Sequence, residues 1–164
     1  DCILKSLSLL KADGISFKCI FAFNYGDHIL NKYKLISKKL NISENLIWLG
    51  YIEYENMPDL YNISDVVISF PIIDSSPKCV YEALFCKTNV IVSNLEWSHD
   101  FLKDEIIRVE SNNHIKLFEN LKNINLNRDI KKKDIELNYD RIISKYDYET
   151  NMKKIEGIMY DSIK

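Results

Sequence analysis

The chain has 164 residues, of which 46% are hydrophobic and 28% charged, and its formal net charge is −2. This length and hydrophobic content predict one globular domain with a core of its own. The slight negative charge argues against a nucleic-acid-binding protein, which would have a strongly basic surface. Because no apolar stretch reaches the ~20 residues of a membrane span and no signal peptide precedes the first predicted helix, we expect a soluble domain.

Short apolar runs alternate with helical patterns along the chain, at intervals that suit βα units. The first elements are a helix with Ile3, Leu4, Leu7 and Leu10 on one stripe, a strand at 17–23, a turn at 24–27, a helix with Ile29, Tyr33, Ile36 and Leu40 on its buried face, a strand at 46–49 and a short helix at 57–63. The next are a strand at 65–70, a helix from Lys78, a strand at 89–93, a short helix near Trp97, a strand at 106–109 and a helix at 114–121. A surface connection at 123–134 and helices near 135–143 and 148–164 complete the pattern.

This order predicts an α/β fold, a Rossmann-like, doubly wound parallel sheet with helices on both faces and a helical C-terminal tail. Strands that are covered on both faces explain the uninterrupted Val/Ile runs. We expect residues 1–123 to form the sheet domain. Residues 124–164 would supply a linker and terminal helices that pack on that domain or cross from it.

The four cysteines fall at irregular spacings, which favours free thiols in a reducing compartment over a disulfide framework. They are Cys2, Cys19, Cys79 and Cys86. No CxxC or HExxH motif occurs, and the three histidines are scattered, so we expect no metal site. Cys79 falls near a predicted helix start, where the helix dipole could lower its thiol pKa. Because the sequence supplies no recognisable histidine partner, packing is favoured over catalysis as the role of this thiol.

The segment at residues 74–84 places Asp74 and Glu82 eight positions apart across a predicted helix start. Ser76 fits the N-cap and Pro77 the first helical position. The backbone amides of the next three residues would be unpaired and would favour an anion such as a diphosphate. Those residues are Lys78, Cys79 and Val80. The simpler alternative is an ordinary helix start at which acidic side chains complement the dipole.

Three loops converge on one edge of the predicted sheet. They are the loop that carries Asp74 and the segments 24–26 and 50–52, each of which follows a predicted strand. Parallel sheets bind ligands at the carboxyl ends of their strands, and the two carboxylates could accept hydrogen bonds from sugar hydroxyls. This convergence favours a ligand site over the purely structural interpretation.

Several motifs occur in an order that resembles the C-terminal half of a GT-B glycosyltransferase of the family 4 type (glycosyl transferases group 1). They are LGYI at 49–52, MPDLY at 57–61, SDV at 64–66, the acid-x7-Glu-Ala-Leu segment at 74–84 and NVIVS at 89–93. The resemblance is specific from about Cys2 to Ser93, weakens over 94–134 and returns with KYDYE at 145–149. It implies one half of a GT-B fold, in which residues 1–123 bind a nucleotide sugar and an N-terminal half binds the acceptor.

The resemblance also implies roles for individual residues. Glu82 would bind the ribose hydroxyls, and Asp74, with Ser75 and Ser76, would bind the transferred sugar. The diphosphate would meet Lys78, Cys79 and Val80, the base would meet Tyr51 and Ile52, and further loop contacts would come from Asn24, Tyr25 and Gly26. The common family pattern has glutamate at position 74 and glycines at 75 and 77. Because Pro77 cannot donate an amide hydrogen bond, we expect sugar recognition to differ from the common case.

The implied activity is metal-independent transfer of a hexosyl group from a nucleotide-diphosphate sugar, with retention of configuration and no cofactor. We expect this in surface polysaccharide or glycolipid synthesis, at the cytoplasmic face of a membrane that only the full-length enzyme or its acceptor contacts. The partner would be the N-terminal acceptor domain, without which this chain should be inactive. Two alternatives stay open: a GT-B-fold nucleotide-sugar epimerase and a non-enzymatic, flavodoxin-like binding domain.

Overall fold

Short strands alternate with helices throughout the computed structural model, which describes residues 1–23, 26–74, 77–102, 106–126 and 132–162. The elements are α1 (Cys2–Ala12), β1 (Cys19–Phe21), α2 (Asp27–Lys39), β2 (Leu46–Trp48), α3 (Met57–Asn62), β3 (Val66–Ser69), α4 (Lys78–Phe85), β4 (Asn89–Ser93), α5 (Glu96–Phe101), β5 (Ile107–Val109), α6 (His114–Leu126), α7 (Lys132–Tyr146) and α8 (Tyr148–Ser162). Single 3₁₀ turns precede β2 and α3. The predicted alternation is therefore confirmed.

All strand pairs in the described part of the chain are parallel. β1 pairs with β2, with Ile20 opposite Ile47, and β3, β4 and β5 form a second sheet in that order, with Val67 opposite Val90. Parallel neighbours need crossover connections, which α4 supplies between β3 and β4 and α5 between β4 and β5. The carboxyl ends of these strands consequently meet at one edge.

The core lies on both faces of β4. Ile91 belongs to one buried cluster, in which α1 and α6 pack together, whereas Val90 and Val92 belong to a second cluster formed with α4. Alternate side chains of a strand point to opposite faces, so helices cover both sides of this sheet as predicted. Leu46 of β2 joins the first cluster, which therefore links the two sheets.

Several boundaries differ from the predictions. β1 covers Cys19–Phe21 rather than 17–23, because strand pairing with β2 extends over those three residues only. The predicted connection at 123–134 is wrong at both ends, since α6 continues to Leu126 and α7 begins at Lys132. Ile124 explains the longer α6, because it extends the buried stripe of Leu117 and Leu121 by one turn.

Helix α2 presents part of its predicted face to the core. Tyr33 and Ile36 pack against the first cluster, but Ile29 is 46% exposed, so its predicted burial is wrong. The fully buried position is Ser37, whose hydroxyl donates to the Lys34 carbonyl and lies 3.1 Å from the Ser43 hydroxyl. These bonds satisfy a polar group that the hydrophobic pattern does not place inside.

Helix α7 packs against α4. Ile142 of α7 lies in the second cluster, and Lys87, just after α4, forms an ion pair with Glu136 and lies 4.5 Å from the Tyr139 ring centroid. α8 follows and contacts α7. In the described ranges, every helix is too short or too polar to cross a membrane.

Candidate functional site

The loop that carries Asp74 is fastened to the carboxyl edge of the second sheet. It leaves β3 at Ser69, and the buried hydroxyl of Ser93, the last residue of β4, donates to the Pro71 carbonyl at 2.6 Å. Asp74 itself is exposed to solvent. The neighbouring Ser75 and Ser76, predicted to bind the sugar, lie outside the described residues.

Helix α4 begins one residue later than predicted. Pro77 occupies the N-cap position with extended backbone angles, and Lys78 is the first helical residue, so Pro77 as the first helical residue is wrong. The amide of Val80, predicted to be unpaired, donates to the Pro77 carbonyl at 3.1 Å. The Val80 side chain is fully buried, whereas Lys78 is exposed. One of the three amides predicted to be available to an anion is therefore already paired.

Cys79 lies near both carboxylates of the motif. Burial raises its thiol pKa, a hydrogen bond with Ser69 opposes that rise, and the charges of Glu82 and Asp74 raise it further. The predicted lowering of the Cys79 pKa is thus wrong, because loss of water on burial raises it and the two carboxylate charges add to that rise. The structure confirms that all four cysteines are free thiols. Glu82 and Asp74 therefore both lie close enough to Cys79 for their charges to act on its thiol.

Glu82 is held by a tyrosine from the neighbouring helix. The Tyr61 hydroxyl of α3 donates to Glu82 Oε2 at 2.7 Å, and Tyr61 is only 4% exposed. Burial, together with this hydrogen bond, raises the pKa of Tyr61 above its ordinary range, so the phenol stays a donor. Within the described part of the chain, Glu82 Oε1 has no hydrogen-bonding partner. The half-buried carboxylate is therefore fixed at one oxygen, and its other oxygen is not buried within the described part of the chain.

Tyr61 belongs to the MPDLY motif, but the sequence alone indicates no role for it in the site. Its partner Glu82 is 21 positions away, and no periodicity within one helix could connect two residues so far apart. Only the packing of α3 against α4 brings them together.

The loop after β2 carries Tyr51 and Ile52, the residues predicted to contact the base. The Phe21 and Trp48 rings stack with centroids 4.5 Å apart, and Gly50 has a φ of +73°, which turns the chain sharply after β2. Tyr51 is 68% exposed and donates to Glu53, whereas Ile52 is half-buried.

The loop after β1 has a described part and a part outside the described residues. Gly26 is the N-cap of α2 and Asp27 its first residue, so Asp27 is helical and not part of the predicted turn. Asn24 and Tyr25 lie outside the described residues.

A group of polar side chains lies after β4, and their spacing in the sequence does not predict that they meet. Asn94 lies 2.6 Å from the Nε2 of His99 and donates to Glu110. All three side chains are at the carboxyl edge of the second sheet, as Asp74 is. Among the described residues, no group of three or more histidine, cysteine, aspartate or glutamate side chains could hold a metal ion.

The sequence matches a known family over most of its length. The family described as "Glycosyl transferases group 1" matches residues 1–140. No curated protein matches the chain significantly.

Solved structures share this fold. A glycosyltransferase from Rickettsia africae superposes with a TM-score of 0.86 at 22% identity, covering 99% of this chain and 44% of that protein. The C-terminal domain of a glycosyl transferase group 1 family protein from Francisella tularensis gives 0.76 at 16% identity, covering 88% and 77%. An Anabaena protein solved with UDP and glucose gives 0.78 at 11% identity, covering 98% and 44%. The chain thus spans less than half the length of the Rickettsia and Anabaena proteins.

Proposed function

This chain belongs to the family of glycosyl transferases group 1 and has the fold of the C-terminal domain of its GT-B members, and from that premise we propose that it binds the nucleotide-sugar donor of a glycosyltransferase. The observation that carries this proposal is Glu82, a carboxylate held at one oxygen with the other not buried, while the exposed Asp74 also acts on the neighbouring Cys79 thiol. Two neighbouring carboxylates at a sheet edge suit a ligand with many hydroxyl groups. The UDP and glucose bound by the Anabaena protein agree with such a ligand class.

In this proposal each part of the donor meets a different segment. Glu82 accepts hydrogen bonds from the ribose, and Asp74 accepts them from the transferred sugar, assisted by Ser75 and Ser76. The base lies over Tyr51 and Ile52, with further contacts from 24–26.

The diphosphate lies at the start of α4. Among the described residues at this helix start, Lys78 and Cys79 would contribute amides, since Val80 already donates to Pro77. The exposed ammonium of Lys78 adds a positive charge near the phosphates.

The proposed reaction is transfer of a hexosyl group with retention of configuration and without a metal or cofactor, in surface polysaccharide or glycolipid synthesis at the cytoplasmic face of a membrane. We place the acceptor on a further domain. The coverage of only 44% of the Rickettsia glycosyltransferase supports that division. The start of α4 would then stabilise the leaving diphosphate as negative charge develops on it.

A thermal-shift panel of UDP, GDP, ADP and their sugars tests the proposal. Binding to the folded state alone stabilises it by about 2.7 kcal/mol at a ligand concentration of 100 Kd. We expect one nucleotide and its sugar to raise the melting temperature, and no shift with any of them would refute the proposal. Interconversion of donor sugars without transfer by the full-length protein would instead identify an epimerase.

A further inference from the structure

Tyr61 has a buried ring and a hydroxyl directed at the site. The ring packs in the second core cluster, among side chains of α4 such as Val80 and Ala83. Its backbone carbonyl accepts a hydrogen bond from the buried Thr88 hydroxyl at 2.9 Å, and its phenol donates to Glu82 at 2.7 Å. The residue is therefore fixed at both ends.

We propose that Tyr61 is the positioning residue of the donor site, whose hydroxyl holds the Glu82 carboxylate in the orientation that presents Oε1 to the ribose. This inference rests on the ribose-binding role proposed above for Glu82. A free glutamate side chain samples many rotamers, and ordering it on ligand binding costs free energy. Because Tyr61 orders Glu82 beforehand, the ligand would not bear that cost.

The geometry also limits what Tyr61 does. A phenol has one hydrogen to donate, and here it goes to Oε2, so Oε1 keeps its lone pairs for the ligand. A bond from a neutral donor to a carboxylate is among the stronger hydrogen bonds, particularly where one partner is buried. Tyr61 thus acts through Glu82 and need not touch the ligand.

The competing interpretation is that this bond only satisfies a buried hydroxyl. In that case Tyr61→Phe would lower stability and leave ligand affinity unchanged. The two roles therefore separate when stability and affinity are measured on the same variant.

The test uses the full-length protein with UDP, GDP and ADP and the 2′,3′-dideoxy form of whichever binds, measured by calorimetry. We expect Tyr61→Phe to weaken binding of the ribose-containing nucleotide about fivefold and to leave binding of the dideoxy analogue unchanged. In a Glu82→Ala background, Tyr61→Phe should have no further effect on affinity.

Ser64→Ala is the matched control, because it removes another hydroxyl next to α3, one that donates to the Leu60 carbonyl at 2.7 Å. Its nucleotide affinity should equal that of the wild type. Unchanged affinity in Tyr61→Phe, or equal losses for the ribose and dideoxy forms, would overturn the positioning role while the donor site stands. If the wild type bound none of the three nucleotides, the proposed function would fail and this inference with it.

Discussion

Pro77 determines how many amides the start of α4 can offer to a ligand. It has no N–H of its own, and its carbonyl accepts the amide of Val80. An anion at this helix terminus therefore depends on fewer amides than the glycine-containing family pattern would supply. In the proposed site, the side chains of Glu82 and Asp74 would consequently matter more for affinity.

Substitution of the two carboxylates should separate the parts of the donor. Glu82→Ala should weaken binding of the bare nucleoside diphosphate by about 1.5–3 kcal/mol, because a charged hydrogen bond is lost. Asp74→Ala should weaken only the sugar-bearing donor. Calorimetric titration measures both.

Glu119→Ala is the control for these substitutions, since it removes a surface carboxylate of α6 that pairs with Lys116. Its affinity should match that of the wild type. Equal affinities for the wild type and a folded Glu82→Ala would exclude the ribose-binding role.

The cysteines should be poorly reactive in the folded protein. Burial raises the pKa of all four thiols, and that of Cys19 to about 12, so little thiolate exists at pH 8. We expect slow alkylation by iodoacetamide in the native state, with Cys19 among the slowest. After unfolding without reductant, all four should react, as mass spectrometry would show.

The same shift predicts a pH dependence of stability. The unfolded Cys19 thiol ionises near its ordinary pKa of 9.0, whereas the folded one ionises at about 12. The contribution of the Cys19 thiol to the free energy of unfolding is fully present below pH 9. It is lost as the pH rises towards 12, since in that interval only the unfolded state releases the proton. Cys19→Ala should show a smaller decline in the free energy of unfolding over that interval.

At the level of elements, the site depends on how α4 is held. Its buried side chains pack beneath the sheet edge, α3 contacts it through Tyr61, and α7 packs on it through Ile142. The ion pair of Lys87 with Glu136 lies at the surface of that contact, and such pairs contribute little. Apolar packing should therefore dominate the α4–α7 contact.

Two adjacent isoleucines on α7 test whether apolar packing dominates its contact with α4. Ile142 is 4% exposed and Ile143 is 41% exposed. Ile142→Ala should lower the free energy of unfolding by about 2–5 kcal/mol, because it leaves a cavity. Ile143→Ala should change it by no more than about 0.5 kcal/mol. Urea unfolding compares them, and equal effects would show that α7 does not depend on this packing.

At the scale of the whole molecule, donor binding would need this chain alone, whereas sugar transfer would need a further domain. The residues proposed to bind the donor belong to this chain, whereas the acceptor and much of the water-excluding wall would belong to another domain. Proximity and exclusion of water would then both be incomplete in this chain alone.

Residues 1–164 alone should therefore bind the donor weakly and transfer no sugar. Full-length protein with the same donor and a candidate acceptor is the positive comparison, followed by chromatography of the products. Efficient transfer by residues 1–164 would require an acceptor site within this domain and would refute the two-domain interpretation.

The local pattern of the sequence was enough to predict the order of helices and strands, the parallel sheet and the position of Asp74 and Glu82 at its edge. Periodicity, turn residues and strand composition all act over a few neighbouring positions, so they can be read directly from the chain. The same locality explains the family resemblance, which depends on short motifs in a fixed order.

Only the tertiary structure decided the properties that depend on contacts between distant segments. The bond of Tyr61 to Glu82, the exposure of Ile29 and the raised pKa of Cys79 each result from neighbours brought together by packing. The pairing of the Val80 amide is local, but it followed from a helix start shifted by one residue. Burial and electrostatics depend on all surrounding atoms in space, and sequence spacing records only those along the chain.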